Sequence, residues 1–535
     1  MLVVLCLSLL IVFVGNSSLN VALPSLSRDF GATESQLQWV VASYSLVFAG
    51  LLFSTGALGD RFGRKGALQF GLATFFVGAA AASQATVMWQ IIGCRALMGV
   101  GAAFIMPATL SILVNVFPAG ERAKAIAIWA ATTGVAGSLG PLLSGFLLTH
   151  FWFGSVFLIN LPIIAIAFIS GWFLVPKSKD PEQGKLDPPG AILSIIGIST
   201  LVFALIQAPE KGWAAPQTLT AFAVAFVVLT IFVFWELHTD EPMLDIRFFR
   251  NRSFSTGSGG MMLVFLSMYG VMFLMTQYFQ LVLGYSPFSA AVRFLPMAPI
   301  MIIVAPCTPW LSARFGANRV VGAGMVLIAT GFLIFAQVGL HTSYWFILIA
   351  IFTLTAGMAM SMSPMTAAIM SAVPQRRAGA GSAMNDATRE LGAALGVAVL
   401  GSIAASQYTS HLDDALGVIP ASAREAASAS IAGALRAGEQ LGGAAGRAFS
   451  VAAQTSFVDG LHVAAYFGVA LCLVAAVLTT RYLPRVLTPE GALSSPVAAM
   501  ENTAELGLGG VPPVLADSRA GALAHDGAGV PPGGT

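Results

Sequence analysis

Fourteen apolar runs, each about 20 residues long, follow one another from end to end of this chain, and no other feature limits its folding as much. A helix of about 20 residues crosses the roughly 30 Å hydrocarbon core of a bilayer with its backbone hydrogen bonds made within itself. The runs read as spans over residues 2–24, 36–58, 66–84, 88–113, 123–148, 152–175, 190–208, 217–236, 254–281, 287–311, 319–340, 344–371, 379–406 and 458–481. Composition agrees, with 57% of 535 residues hydrophobic and 9% charged. The chain therefore reads as an all-α membrane protein of 14 transmembrane helices in a lipid bilayer. Its few bases stand singly or in threes between apolar runs rather than on one face, so the net charge of +2 gives no nucleic-acid footprint. Cys6, Cys94, Cys307 and Cys472 all lie inside apolar runs without metal-ligand spacing, and read as small buried hydrophobes. The first run lacks a basic n-region and outlasts a signal peptide's apolar core, so it reads as a retained span, with a start upstream of Met1 as the alternative.

Orientation follows from the bases, because cytoplasmic loops retain an excess of them. Alternate loops hold Arg61, Arg64 and Lys65; Arg122 and Lys124; Lys177, Lys179 and Lys185; Arg247, Arg250 and Arg252; Arg314 and Arg319; Arg376 and Arg377; and finally Arg481 and Arg485. Both termini and these loops are expected in the cytoplasm, and an odd span count would break the alternation. Residues 407–457, rich in Ala, Gly and Ser, are expected to form an external helical loop. Residues 486–535, rich in Gly, Pro and Ala, have too little apolar periodicity to bury a core and read as a disordered cytoplasmic tail.

Arg61-Phe62-Gly63 after the second span recurs as Arg314-Phe315-Gly316 after the tenth, an offset of 253 residues (314 − 61). Glu121-Arg122-Ala123 opening the fifth span matches Arg376-Arg377-Ala378 opening the thirteenth, an offset of 255 (377 − 122). The two echoes imply two six-span halves in parallel orientation, residues 1–175 and 254–485, with two inserted helices in 187–238. Paired halves of this kind are the architecture of rocking secondary transporters.

The densest charge lies in Gly59-Asp60-Arg61-Phe62-Gly63-Arg64-Lys65, a short turn between the second and third spans. The topology rule accounts for Arg64 and Lys65 but not for Asp60. An acid at the membrane surface costs less when it is paired with a base or set at a helix N-terminus. Such a pair can hold one face closed until the halves rock apart, so Gly59, Asp60, Arg61, Gly63, Arg64 and Lys65 are read as a gating loop.

This loop resembles the signature of the major facilitator superfamily, G-x-L-a-D-r-x-G-r-[RK], here Gly56-Ala57-Leu58-Gly59-Asp60-Arg61-Phe62-Gly63-Arg64-Lys65. Fourteen spans with a two-span insertion narrow the resemblance to the drug:proton antiporters of that superfamily, over roughly residues 5–485. Asn20-Val21-Ala22-Leu23-Pro24 is similar to the first-span motif, and the stretch from Arg95 to Gly101 to the fourth-span motif. The stretch from Gly134 to Gly145, with its Gly140-Pro141 pair, resembles the fifth-span motif that marks exporters. Phe157 to Pro162 matches the start of the sixth span. The resemblance implies a transport pathway that includes Asn20, Arg95, Gly134, Gly140, Pro141 and Gly145. Two departures stand out. The acid usual in the family's first span is absent from Val14-Gly15-Asn16-Ser17-Ser18-Leu19, and the Gln of the fourth-span motif is Met98. Whatever proton-coupling work that acid does elsewhere is not carried over.

Ionisable groups at membrane depth are functional suspects, because each is costly unless paired or wetted. Arg95 and Arg293 are two, and the thirteenth span opens Asn385-Asp386-Ala387-Thr388-Arg389-Glu390. Asp386 and Glu390, four apart, share a helix face, and Arg389 can pair with Asp386. Asp386, about two turns from Arg377, reads as a solvated helix end. Glu390 is one turn deeper, where burial favours the neutral acid and Arg389 the ionised one. Glu390, Asp386 and Arg389 are therefore the candidate proton-coupling residues. No phosphate-binding G-x-x-x-x-G-K-[ST] loop, metal cluster or nucleophile elbow is present, so neither an enzyme nor a cofactor or metal is expected. The leading expectation is proton-coupled efflux of hydrophobic or amphipathic drugs, antibiotics or metabolites across a bacterial inner membrane, by a monomer. The alternatives are a proton-linked uptake carrier or dedicated exporter of one metabolite with the same fold, and, from another class, a sensor or channel whose flux ignores the pH gradient.

Overall fold

The computed structural model describes residues 1–30, 34–178, 187–240, 242 and 244–486. Lys179, Lys185 and residues 487–535, the bulk of the expected tail, lie outside the described residues. The first half of the chain supplies α1 (Leu2–Phe30), α2 (Glu34–Phe62), α3 (Arg64–Ser83), α4 (Met88–Val116), α5 (Ala119–His150), α6 (Ser155–Leu158) and α7 (Asn160–Leu174). Then come α8 (Pro188–Lys211) and α9 (Pro216–His238). The remainder supplies α10 (Arg252–Gln277), α11 (Pro287–Phe294), α12 (Met297–Phe315), α13 (Ala317–Phe335), α14 (Tyr344–Ser371), α15 (Ala378–Leu412), α16 (Ala421–Ala429), α17 (Ile431–Leu441) and α18 (Gly443–Tyr482). Among the described residues, 14 segments are long and apolar enough to cross a membrane, in the order read from the sequence.

Where the bounds differ, local chemistry is the reason. The ninth span ends in a π-helical turn, Tyr278–Val282, and leaves it through Gly284 in the left-handed region (φ +68°). The tenth is broken between α11 and α12 at Leu295-Pro296, where the proline has no N–H to continue the ladder. The eleventh stops at Phe335, five residues early, as Gln337 and Val338 bond three residues back instead of four. The last helix starts at Gly443 rather than 458, its Ala-rich entry continuing the helix without a breaker.

Between lipid-bathed helices there is little hydrophobic drive, so packing relies on small residues that let backbones approach. Two such crossings recur at offsets of 253 to 256 residues along the chain. A Cβ on Gly101 of α4 would lie 2.8 Å from the Gly71 carbonyl of α3, and one on Gly357 of α14 would lie 2.4 Å from the Gly324 carbonyl of α13. The offsets are 253 (324 − 71) and 256 (357 − 101). Gly140 of α5 meets Ser17 of α1, and Gly396 of α15 meets Gly270 of α10, again 256 (396 − 140) and 253 (270 − 17) apart. The charged turn recurs as well: Gly63 (φ +116°) and Gly316 (φ +92°) both need the left-handed region. After them, the Arg64 N–H donates to the Ser178 carbonyl and the Ala317 N–H to the Arg485 carbonyl, each at 3.0 Å. Two echoes in sequence are thus accompanied by matched helix crossings.

The inserted α8 packs against α2 and also contacts α15. Its Ser199 hydroxyl donates to the Leu46 carbonyl at 3.2 Å, and Trp213 just after it donates to the Ser402 hydroxyl at 2.7 Å. The outer α9 leans on α8. Between α15 and α18, a 3-10 turn (Asp413–Val418), α16 and α17 fold back onto the second half, where the Tyr408 hydroxyl donates to the Ala427 carbonyl at 2.8 Å.

Candidate functional site

The charged turn meets the second half through Asp60. At the end of α2 its residue is 7% exposed, and Arg64, one turn on in α3, is 2% exposed. Arg64 places Nη2 at 2.7 Å and Nε at 2.8 Å from Asp60 Oδ1. The other oxygen, Oδ2, accepts the backbone N–H of Gly379 at 2.7 Å. Gly379 lies in the first turn of α15, whose leading N–H groups have no partner within the helix and carry the positive end of its dipole. Arg64 Nη2 also donates to the Gln375 carbonyl at 3.2 Å, and Ser111 of α4 lies 3.5 Å from Asp60 Oδ1. One carboxylate thus satisfies a base of the next helix and the N-terminus of α15, far along the chain.

The backbones close on each other there. A Cβ on Gly56 would lie 2.7 Å from the Gly379 carbonyl, and one on Gly379 would lie 2.4 Å from the Gly56 carbonyl. The rest of the loop supports this turn. Gly59 accepts the Gly63 N–H through its carbonyl, Arg61 lies over the Phe62 ring, and Lys65 donates to the Trp172 carbonyl of α7. Gly379 and Gln375 were not singled out from sequence, although the run Ala378-Gly379-Ala380-Gly381-Ser382-Ala383 opening the thirteenth span signals close packing.

Deeper in α15, Asp386, Arg389 and Glu390 come together. Asp386 is 1% exposed, which corrects its reading as a solvated helix end: α2 closes on the start of α15 at Gly56 and Gly379, and Thr366 of α14 bonds the adjacent Asn385. Its Oδ1 lies 3.5 Å from Arg389 Nη1 and accepts from Asn385 Nδ2 at 3.3 Å, and Asn385 in turn accepts from Thr366 at 3.0 Å. The Arg389 guanidinium sits over three rings, Phe13 of α1 and Trp129 of α5 at 5.3 Å each and Phe265 of α10 at 4.8 Å. Trp129 is oriented by donation to Thr109 at 3.3 Å. Glu390 turns toward α2, where Ser45 is its hydroxyl partner. No sequence signal pairs these rings with Arg389, since they come from three helices far apart in the chain.

The remaining predicted positions divide by role. Arg95 is fully buried inside the first half, donating to the Val40 carbonyl at 3.2 Å and the Gly15 carbonyl at 3.3 Å and lying 4.3 Å from the Tyr44 ring centre. It ties α1, α2 and α4 together. On α5, Gly134 faces Met301 of α12 and Gly145 faces Phe288 of α11, so these glycines admit side chains of the other half. Gly140 faces Ser17 within its own half, and Pro141 lies inside the α5 helix. Asn20 lies in α1, with its side chain outside the described set.

The arrangement joins the α2–α3 turn to the start of α15 through an ion-paired crossing, with glycine-lined contacts of α5 against α11 and α12 and buried ionisable groups on α4 and α15. A family model described as Major Facilitator Superfamily matches residues 5–397. The chain is 35% identical to the multidrug efflux pump LfrA of Mycolicibacterium smegmatis over 89% of this chain and 94% of that protein. It is 34% identical to the methyl viologen resistance protein SmvA of Salmonella typhimurium over 89% and 96%. It is also 31% identical to the tetracenomycin C resistance and export protein of Streptomyces glaucescens over 89% and 90%. Its fold is similar to that of the human organic anion transporter MFSD10, with a TM-score of 0.56 and 15% identity, covering 89% of this chain and 98% of that one.

Proposed function

The chain belongs to the Major Facilitator Superfamily, and from that membership we propose that it exports hydrophobic or amphipathic drugs, antibiotics or metabolites across the bacterial inner membrane in exchange for protons. The relatives named as efflux and resistance proteins span almost the whole chain and support an exporter. The observation that carries the reading is the Asp60 carboxylate, held between Arg64 and the Gly379 N–H across the two halves. Gly59, Arg61, Gly63 and Lys65 shape and orient the turn that presents it. With both termini and this turn in the cytoplasm, the crossing is a latch that keeps the cytoplasmic end of the seam between the halves shut. Release of the latch lets the halves, residues 1–175 and 254–485, rock apart and admit substrate from the cell interior.

In the proton cycle, Glu390 and Asp386 take up and release protons. Protonation removes a buried negative charge and frees Arg389 from its partner, which changes the balance between open and closed seams. The α5 glycines, Gly134, Gly140 and Gly145, with Pro141, let that helix pivot against α1, α11 and α12, while Arg95 keeps the first half rigid. The protein works as a monomer, since each monomer contains both halves. Glu390→Gln tests the coupling, because glutamine fills similar volume without titrating. In proteoliposomes it is expected to retain ethidium binding and to lose the dependence of ethidium transport on an imposed pH gradient. Unchanged gradient dependence would clear Glu390 of the role and leave Asp386 as the carboxyl to examine.

A further inference from the structure

Arg389 is 3% exposed, yet none of its nitrogens makes a short hydrogen bond, its acceptor Asp386 Oδ1 standing 3.5 Å away, and Oδ2 of Asp386 is unsatisfied as well. The contact between them, 3.5 Å, is too long for a strong charge-assisted hydrogen bond. A guanidinium carries five donors in a planar fork that matches an oxyanion. Its charge is met instead by the faces of Phe13, Trp129 and Phe265. Ring faces attract a cation but accept few hydrogen bonds, so they leave the guanidinium's donors to Asp386 or to an incoming acceptor. What would complete this site is a group that is aromatic, to stack where a ring stacks now, and that bears an anionic oxygen to fill the fork.

Two of the three rings belong to α1 and α5 of the first half, whereas Arg389 and Phe265 belong to the second. Separation of the halves therefore withdraws Phe13 and Trp129 from the guanidinium and uncovers its donors. We propose that Arg389 is the recognition point for an oxyanion carried on an aromatic ring system, a substrate class distinct from permanent cations. The guanidinium is covered by rings when the seam is closed, and takes the substrate's own ring and oxygen when it is open. This rests on the export reading, because it assigns the substrate of that same pathway. Asp386, Tyr269 and Glu390 also act on Arg389 electrostatically, so an entering oxyanion competes with the carboxylates for the fork and is favoured when they are protonated.

The test compares two aromatic probes on the purified full-length protein in lipid nanodiscs without any gradient: fluorescein, an aromatic oxyanion, and ethidium, a permanent aromatic cation. Arg389→Gln is expected to lower the ratio of fluorescein to ethidium affinity at least about tenfold, the range a charge-assisted hydrogen bond supplies, whereas a shifted seam balance moves both probes together. Arg389→Lys, which keeps the charge and the fold but loses the fork, is expected to fall between wild type and Arg389→Gln for fluorescein. Equal weakening of both probes would mark Arg389 as a packing residue and overturn the proposal. So would fluorescein binding that is absent from the wild type or indifferent to both substitutions. A wild type that shows the fluorescein selectivity but moves neither probe across a membrane would overturn the export reading while supporting the site.

Discussion

Replacing Asp60 by Asn tests the latch with almost no change of shape. In the native crossing, Oδ1 faces two nitrogens of Arg64 and Oδ2 faces the Gly379 N–H, so both oxygens meet donors. An amide has one oxygen. Whichever way it turns, its NH2 meets a donor: the guanidinium in one orientation, the Gly379 N–H in the other. One charge-assisted contact is lost, worth about 1.5–3 kcal/mol. If that contact is made only when the seam is closed, the open population rises about 10- to 150-fold. Alanine is a poorer probe, because it strands a buried Arg64 at a cost of about 3–5 kcal/mol. Hydrogen exchange at Gly379 reads the latch directly, since an N–H in the first turn of a helix has no partner within it. Asp60→Asn is expected to speed that exchange by about the same 10- to 150-fold and to remove most export, with insertion and abundance near normal. Wild-type export together with unchanged exchange at Gly379 would refute the latch and leave Asp60 no more than a member of a topology signal.

Gly379→Ala is expected to resemble Asp60→Asn, because its methyl would lie 2.4 Å from the Gly56 carbonyl and 2.6 Å from Asp60 Oδ2, forcing α2 and α15 apart at about 1–3 kcal/mol. Efflux and Gly379-region exchange check it, and wild-type values for both would show that the seam is looser than its geometry. For topology, a cysteine at Lys65 or Lys179 should react with an impermeant reagent only after the membrane is opened, and one at Ser430 in intact cells. Labelling of all three from outside would contradict the orientation.

The spans were legible in the sequence because bilayer thickness fixes their length and composition together. Breaks within them were less so: Pro296 announces one, but the π-helical turn at Tyr278–Val282 has no comparable marker. The loop showed that Asp60 needed a base or a helix N-terminus, and Asp60 has both, yet a local motif does not reveal which terminus, 319 residues away, receives it. Asp386 was misread because its sequence distance from Arg377 suggested water, whereas its depth is decided by neighbouring helices, α2 at Gly379 and α14 at Asn385. The rings around Arg389 come from α1, α5 and α10, and aromatic residues are so common in this chain, 37 of them Phe, that no spacing selects three. What one helix carries was legible; what several helices bring together was not.

The central claim, exchange of drug for proton, is tested most directly by proton movement itself. Purified protein is reconstituted in proteoliposomes loaded with a pH dye and held at equal pH inside and out, and ethidium is then added on one side. The account predicts a proton flux opposite to ethidium movement that starts with it, vanishes in empty liposomes and is lost in Glu390→Gln. Ethidium movement in the wild type with no accompanying proton flux would contradict it.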